Sequence, residues 1–234
     1  REKGQTPEQF AADMHAAKDI AKDLIRLYAE RMRRPGHAFP ADDSYQKAFE
    51  DAFEYDETDG QLAAIEDIKE DMMRPVPMDR LLCGDVGYGK TEIAIRAAFK
   101  AVQDGKQVVY LVPTTILAKQ HYATLIEFFK YTNVKIALLT GSLSLKEKEL
   151  LYKDIENGHY DIIVGTHALF QKKVNYASLG LVVTVEKHRF GVNQRKALKD
   201  KGQQVDFLIM SATPIPRTLA ISLYGDMDVS TIKT

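Results

Sequence analysis

Between Leu81 and Met210 the sequence carries six short, continuous apolar runs, each separated from the next by a segment with helical character: Leu81 to Cys83, Val108 to Val112, Ile136 to Leu139, Ile162 to Val164, Leu181 to Val185 and Phe207 to Met210. The runs do not alternate apolar with polar residues, so each strand hides both of its faces. Strands of that kind, joined through helices, build a mostly parallel sheet covered by helices on either side. The fold class expected is therefore α/β.

A glycine-rich stretch sits between the first run and the helix after it. "GDVGYGKT", residues 84 to 91, fits the phosphate-loop pattern G-x-x-x-x-G-K-[ST] in the strand-to-helix setting the pattern requires. Glycines let the backbone fold so that successive amides, from Gly84 and Asp85 through Gly87 and Gly89, point at phosphate oxygens. The positive end of the following helix adds to them. Lys90 is placed to reach the β and γ phosphates, and the Thr91 hydroxyl is placed to meet magnesium. The site expected is one for a nucleoside triphosphate with Mg2+.

At 234 residues the chain has room for one large α/β domain and an appendage. With 32 Lys+Arg against 33 Asp+Glu the net charge is -1, so no global basic field draws it to nucleic acid and any such contact must be local. The single cysteine, Cys83, leaves no internal disulfide framework; it reads as a small buried hydrophobe in a reducing cytoplasm. No apolar stretch has spanning length and no signal peptide is evident, so a cytoplasmic protein without membrane contact is expected. His121, His167 and His188 lack metal-ligand spacing, which argues against zinc. The first residue is Arg1, and the chain is read as a piece of something longer.

Ahead of the α/β region, residues 6 to 34 predict one long helix. Thr6, Pro7 and Gln9 supply the cap, first-turn proline and capping-box partner, and Pro35-Gly36 ends it. Phe10, Met14, Ala17, Ala21, Leu24 and Tyr28 form a single narrow stripe along roughly 40 Å of helix. It is expected to lie on another domain or to link to one. Residues 35 to 60 read as an irregular, acidic connector, and a second helix is expected from about Asp59 to Met73. The division expected is a linker helix over 1–36, a connector over 37–60 and the ATP-binding lobe over 61–234.

Four further segments fall at the ends of later strands, where open α/β sheets present their binding loops: "VPTTILAKQH", "GTHALF", "EKHRFG" and "SATPIPRT". With the phosphate loop, their order resembles motifs I, Ia, Ib, II and III of the first, RecA-like motor lobe of superfamily 2 helicases. Phe53, Thr58 and Gln61 resemble the upstream Q motif of that superfamily. "MDRLLCGDVGYGKTEIAIRAAFKAV", "LVPTTILAKQHY" and the preceding "LYAERMRRPGHAF" resemble the bacterial transcription-repair coupling factors. "GTHALFQ", "HRFGVNQR" and "SATPIPRTLAISLYGDMDVS" are closer to the RecG-type fork helicases.

The resemblance implies an ATP-driven motor on double-stranded DNA. In the coupling-factor family it displaces stalled RNA polymerase and helps recruit excision-repair proteins. Carried onto this sequence, Gln61 reads the adenine, while Pro113, Thr114, Gln120, Gly165, Thr166 and His167 line the DNA track. Ser211, Ala212 and Thr213, with His188, couple nucleotide state to DNA grip. Thr114 and Thr166 are equally well placed to cap the next helix. A RecG-type lobe is the near alternative; a hydrolysis-deficient ATP-binding switch or docking module is the alternative from another class.

One position departs from the family. Where the pattern is Asp-Glu-x-His, residues 185 to 188 are Val185, Glu186, Lys187 and His188. Glu186, which would activate the attacking water, is kept, but the metal-orienting aspartate is a valine. Losing a magnesium partner weakens the chemical step more than ground-state binding. Lys187 either neutralises phosphate charge, pairs with Glu186 or points into solvent. The family closes its site with a second RecA-like lobe that supplies arginine fingers, and the sequence ends at Thr234, soon after motif III. By itself the chain is expected not to translocate.

Overall fold

The structure is a computed structural model and describes residues 6–53, 56–84, 89–185, 198, 203–212 and 227–232. In chain order its elements are α1 (Pro7–Arg33), α2 (Ser44–Asp51), α3 (Asp59–Met73), β1 (Asp79–Gly84), α4 (Gly89–Gln103), β2 (Gln107–Leu111), α5 (Thr115–Phe128), β3 (Ile136–Leu139), α6 (Leu145–Glu156), β4 (Ile162–Gly165), β5 (Leu179–Val185), β6 (Asp206–Ser211) and β7 (Asp228–Ile232). A 3-10 turn, His167–Phe170, follows β4.

The seven described strands form one sheet in the order β3-β4-β2-β5-β6-β1-β7, and every pairing is parallel. The six expected strands are all present. The seventh, β7, is missing from the sequence reading because "DVSTI" lacks a continuous apolar run. Only Ser230 of its five residues is buried, as suits an edge strand.

Period-two alternation sorts the strand side chains between two cores. Val108, Tyr110, Val112, Leu181, Val183, Val185 and Met210 join α2, α3, α4 and α5 on one face. Val109, Leu111, Ile163, Val182 and Phe207 meet Ile155 of α6, with Leu169 and Tyr176, on the other. Consecutive residues of β5 therefore face opposite ways. Cys83 is buried and in no disulfide, beside Leu81, Ile209 and Met227.

The acidic stretch between α1 and α3 is more ordered than an irregular connector. Asp43 caps α2 by accepting from the Gln46 amide at 2.8 Å. Phe49 then stacks on both Phe99 and Phe129, with ring centroids 4.1 and 5.1 Å away. The Pro and acid content signalled a loop, but one cap and one aromatic anchor are enough to hold two turns of helix.

Helix α1 has the capping box read from Thr6 and Gln9. Its stripe is left open over most of its length, with Phe10 and Met14 41% and 48% exposed. Contact with the sheet is made at the C-terminal end. Arg31, 5% exposed, donates to the Asp228 carboxylate at 3.0 Å and to the Asp79 carbonyl at 3.4 Å, while the Tyr28 hydroxyl reaches Asp228 at 3.3 Å. Among the described residues no helix is long and apolar enough to cross a membrane.

Candidate nucleotide-binding site

Because all the strands are parallel, their C-terminal ends lie along one edge of the sheet. The register places Val185 of β5 beside Met210 of β6, Ser211 beside Cys83 of β1, and Gly84 beside Ile232 of β7. The phosphate-loop strand and the strands that lead to the other motifs thus converge on one rim.

Lys90 occupies the centre of that rim. It lies in the first turn of α4 and is 9% exposed, and its ammonium donates to the Gly84 carbonyl at 2.8 Å and the Ser211 carbonyl at 2.9 Å. A cation buried at a helix N-terminus runs against the helix dipole and its own desolvation, so it needs strong acceptors. The two carbonyls supply them, and they tie the phosphate-loop strand to the strand carrying Ser211 and Ala212. Asp85 and Gly87 lie outside the described residues, as do Glu186, His188 and Thr213.

Gln61 reaches the same place from α3. Thr58 and Gln61 form a reciprocal capping box, the Thr58 amide donating to Gln61 Oε1 at 2.9 Å and the Gln61 amide to Thr58 Oγ1 at 3.2 Å. The box aims the other end of the Gln61 amide at the start of α4, where a Cβ on Gly89 would stand 1.9 Å from Gln61 Nε2. Any side chain at 89 displaces that amide. Phe53, the first residue of the Q pattern, lies under the Arg96 guanidinium, 4.7 Å from its ring centroid. Arg96 also pairs with Glu50 at 3.0 Å and with Glu57. Hydrogen bonds from its own backbone and then from Arg96 hold the Glu57 carboxyl below its ordinary value. One buried arginine therefore fastens the connector to the phosphate-loop helix. A groove of about 1100 Å³ opens alongside, between α2, α4 and α5, with Phe53, Phe128 and Glu92 in its walls.

Thr91 has a neighbour that the sequence reading missed. Its hydroxyl lies near the phenol of Tyr110, which is fully buried and meets His121 Nδ1 at 3.3 Å. Burial pushes the phenol's pKa far upward, the neighbouring Thr91 hydroxyl only partly opposing it, so Tyr110 stays protonated. The signal was a phenol within the otherwise apolar "VVYLV".

The expected DNA-track residues gather at a second pair of strand ends. Leu111 of β2 lies beside Gly165 of β4, and the Val112 amide donates to the Gly165 carbonyl at 3.0 Å. That brings Pro113 and Thr114 next to Gly165, Thr166 and His167. Thr114 acts as a cap, accepting from the Leu117 amide at 3.2 Å, whereas Thr166 makes no such side-chain bond. Gln120 is exposed one turn along α5. Gly165 is required by packing: a Cβ there would lie 2.6 Å from the Leu139 carbonyl oxygen.

Val185 is 8% exposed and packs into the same core as Tyr110 and Met210. Its side chain faces the α4 layer, the side on which a metal-orienting carboxylate would stand. Thr184 faces the other way and is fully buried; its hydroxyl has no hydrogen-bond partner among the described residues. Among those residues no cluster of three His, Cys, Asp or Glu side chains is placed to hold a metal.

A phosphate-loop strand, its helix and a capped glutamine at that helix's start together define a helicase-type nucleotide-binding lobe. Residues 58–221 match the DEAD/DEAH box helicase family, and the chain belongs to it. Over 219 residues it is 53% identical to the transcription-repair-coupling factor of Bacillus subtilis (strain 168), an alignment covering 94% of this chain and 19% of that protein. The coupling factor of Mycobacterium bovis (strain ATCC BAA-935 / AF2122/97) is 52% identical over the same length, covering 94% of this chain and 18% of that protein. Among solved structures, RecG bound to a three-way DNA junction is similar with a TM-score of 0.77 at 38% identity, covering 94% of this chain and 31% of that one. The later segments that look closer to RecG thus lie in a chain that, taken whole, is more similar to the coupling factors. It spans only about a fifth of their length.

Proposed function

We propose that this chain is the first RecA-like lobe of an ATP-dependent double-stranded DNA translocase of the transcription-coupled repair type. The similarity to coupling factors over 94% of the chain supports this over a RecG-type fork helicase and over a docking module without a motor role. On this reading 61–234 is the ATP-binding lobe, 37–60 the connector with the Q motif and 1–36 a linker helix to a preceding domain. The protein works in the cytoplasm, its substrate is duplex DNA, and RNA polymerase and excision-repair proteins meet other parts of the longer protein.

The observation that carries the reading is the position of Lys90 between Gly84 and Ser211. An ammonium held by two carbonyls is available to phosphate oxygens, which are stronger, anionic acceptors. When ATP draws Lys90 away, the Ser211 carbonyl loses the ammonium as a donor. Nucleotide arrival is thereby felt at Ser211, Ala212 and Thr213, the residues assigned to coupling. Gly84, Asp85, Gly87 and Gly89 cradle the phosphates, Gln61 reads the base, and Glu186 activates water. Pro113, Thr114, Gln120, Gly165, Thr166 and His167 contact the DNA backbone through hydroxyls and amides, which carry no sequence information and suit a motor that must pass over any sequence. Turnover requires the second lobe.

Titrating ATP into the chain and into its Lys90→Ala variant tests this. ATP affinity should be lost in the variant while its circular dichroism is unchanged. Equal affinity in the two proteins would sink the assignment.

A further inference from the structure

Helix α4 is buried along most of its length, and among Ile93, Ile95, Ala97 and Phe99 it carries a guanidinium. Arg96 is 5% exposed. Burying that charge costs more than burying an apolar side chain of similar volume, so packing alone does not account for it. What a guanidinium offers instead is a flat, forked set of donors that holds two acceptors and a ring face at once. Arg96 uses all three. One terminal nitrogen donates to Glu50 Oε1 at 3.0 Å and the other to Glu57, while the plane lies over Phe53, 4.7 Å from the ring centroid.

Phe53 and Glu57 both belong to the approach to Gln61. Phe53 opens the Q pattern, and Glu57 immediately precedes Thr58, whose hydroxyl and amide form the capping box with Gln61. Glu50 extends the contact to the body of α3, because its carboxylate also accepts from Lys69 at 2.7 and 3.0 Å. Gln61 in turn lies against Gly89 at the first turn of α4, next to Lys90. Arg96 stands two turns further along the same helix, a rise of about 10 Å. A single helix thus carries the phosphate-binding lysine at its start and, through Arg96, fastens the residues that lead into Gln61. The separation between the two is set by a helix and not by a loop.

We propose that Arg96 is a positioning residue for base selection: through Glu57 and Phe53 it keeps Gln61 in register with Lys90, so that the base and its triphosphate are engaged together. Its terminal nitrogens are taken up by protein carboxylates, so it acts through Gln61 and not on the nucleotide. Lysine cannot replace it, because an ammonium has neither the plane for Phe53 nor the fork for two carboxylates. The inference rests on the nucleotide-binding reading above, with Gln61 as the reader of adenine, and adds the residue that sets where that reader stands.

The test compares calorimetric titrations of ATP, GTP and inorganic tripolyphosphate into the 234-residue chain and into Arg96→Lys, with folding checked by circular dichroism. The unaltered chain should prefer ATP to GTP by about tenfold or more. In Arg96→Lys, ATP binding should weaken by about tenfold, tripolyphosphate binding should stay within about twofold, and the preference for ATP should shrink to about threefold or less. Equal weakening of ATP and tripolyphosphate would show that Arg96 supports the helix carrying Lys90 and not the base reader, which overturns the inference. A folded variant that binds ATP as the parent does overturns it too. Glu57→Gln keeps the side chain's shape at a partly exposed position and removes only the charge opposite Arg96. It should weaken ATP binding by about threefold and leave tripolyphosphate unchanged, and it decides the matter if Arg96→Lys does not fold. Parent-like ATP binding by Glu57→Gln counts against the inference in the same way. No binding of ATP or tripolyphosphate by the unaltered chain overturns the nucleotide reading itself. Equal binding of ATP and GTP leaves the phosphate site standing and overturns base selection, and this inference with it.

Discussion

Single residues in this lobe carry opposite electrostatic problems at the two ends of the sheet. At the rim, Lys90 is a buried cation with good acceptors. At the far end, Asp206 is a buried acid with few donors: Oδ1 accepts from the Met78 amide at 2.8 Å, while Oδ2 has no partner among the described residues. Burial raises its pKa well above the ordinary value of 3.8; the Met78 amide opposes the shift, and Asp71 and Asp79 add to it. The native state therefore binds this proton more tightly than the unfolded chain does. Its stabilising effect is complete below the unfolded value and is lost as pH rises through the folded one. Asp206→Asn keeps the acceptor for Met78 and removes the cost of charge. Its melting temperature should exceed the parent's near neutral pH, and the gap should close toward about pH 4. A gap independent of pH would mean that Asp206 is stabilised by something other than its proton.

Among the elements, α1 is joined to the lobe by its last turns. Arg31 combines an ion pair to Asp228, a hydrogen bond to the Asp79 carbonyl and a stacking contact 4.8 Å from the Tyr28 ring centroid. Asp228 begins β7, and β7 pairs with the phosphate-loop strand β1. Arg31→Ala strips the ion-pair partner from Asp228, a half-buried carboxylate that keeps the Tyr28 hydroxyl, and should cost roughly 1–3 kcal/mol, less than a fully buried pair because water reaches Asp228. Urea unfolding measures it, and a loss under about 0.5 kcal/mol would mean the clasp adds little. Arg31→Lys should recover part of the loss but lack the fork that serves Asp228 and Asp79 together.

At the scale of the molecule, the two cores lie within residues 39–210, and α1 adds no residue to either. Its stripe of Phe10, Met14, Ala17 and Ala21 remains in solvent. Removing residues 1–23 should therefore leave the melting temperature within about 2 °C of the intact chain, since no buried apolar area is lost and the Arg31 clasp is kept. A larger fall would show that α1 packs on the lobe along its length. Residues 35 to 53 are different, because Phe39 and Phe49 belong to the first core. Cutting into them should destabilise the whole lobe.

Local physics determined much of this protein from sequence alone. Continuous apolar runs specify strands hidden on both faces whatever surrounds them, and the capping patterns at Thr6 and Thr58 specify helix starts, because both depend on neighbours a few residues away. The phosphate loop was legible for the same reason: its chemistry resides in eight consecutive residues. What the sequence could not fix depends on separations of tens to hundreds of residues. The edge strand β7 exists because β1 offers it backbone partners, and α2 is held where Phe49 finds Phe99 and Phe129. Lys90 bridges Gly84 and Ser211 across a gap of 121 residues, and Tyr110 comes near Thr91 because α4 starts at the edge of the sheet where β2 ends. Those contacts form only when a parallel sheet brings distant strand ends to one rim, and that rim is where the nucleotide site is assembled.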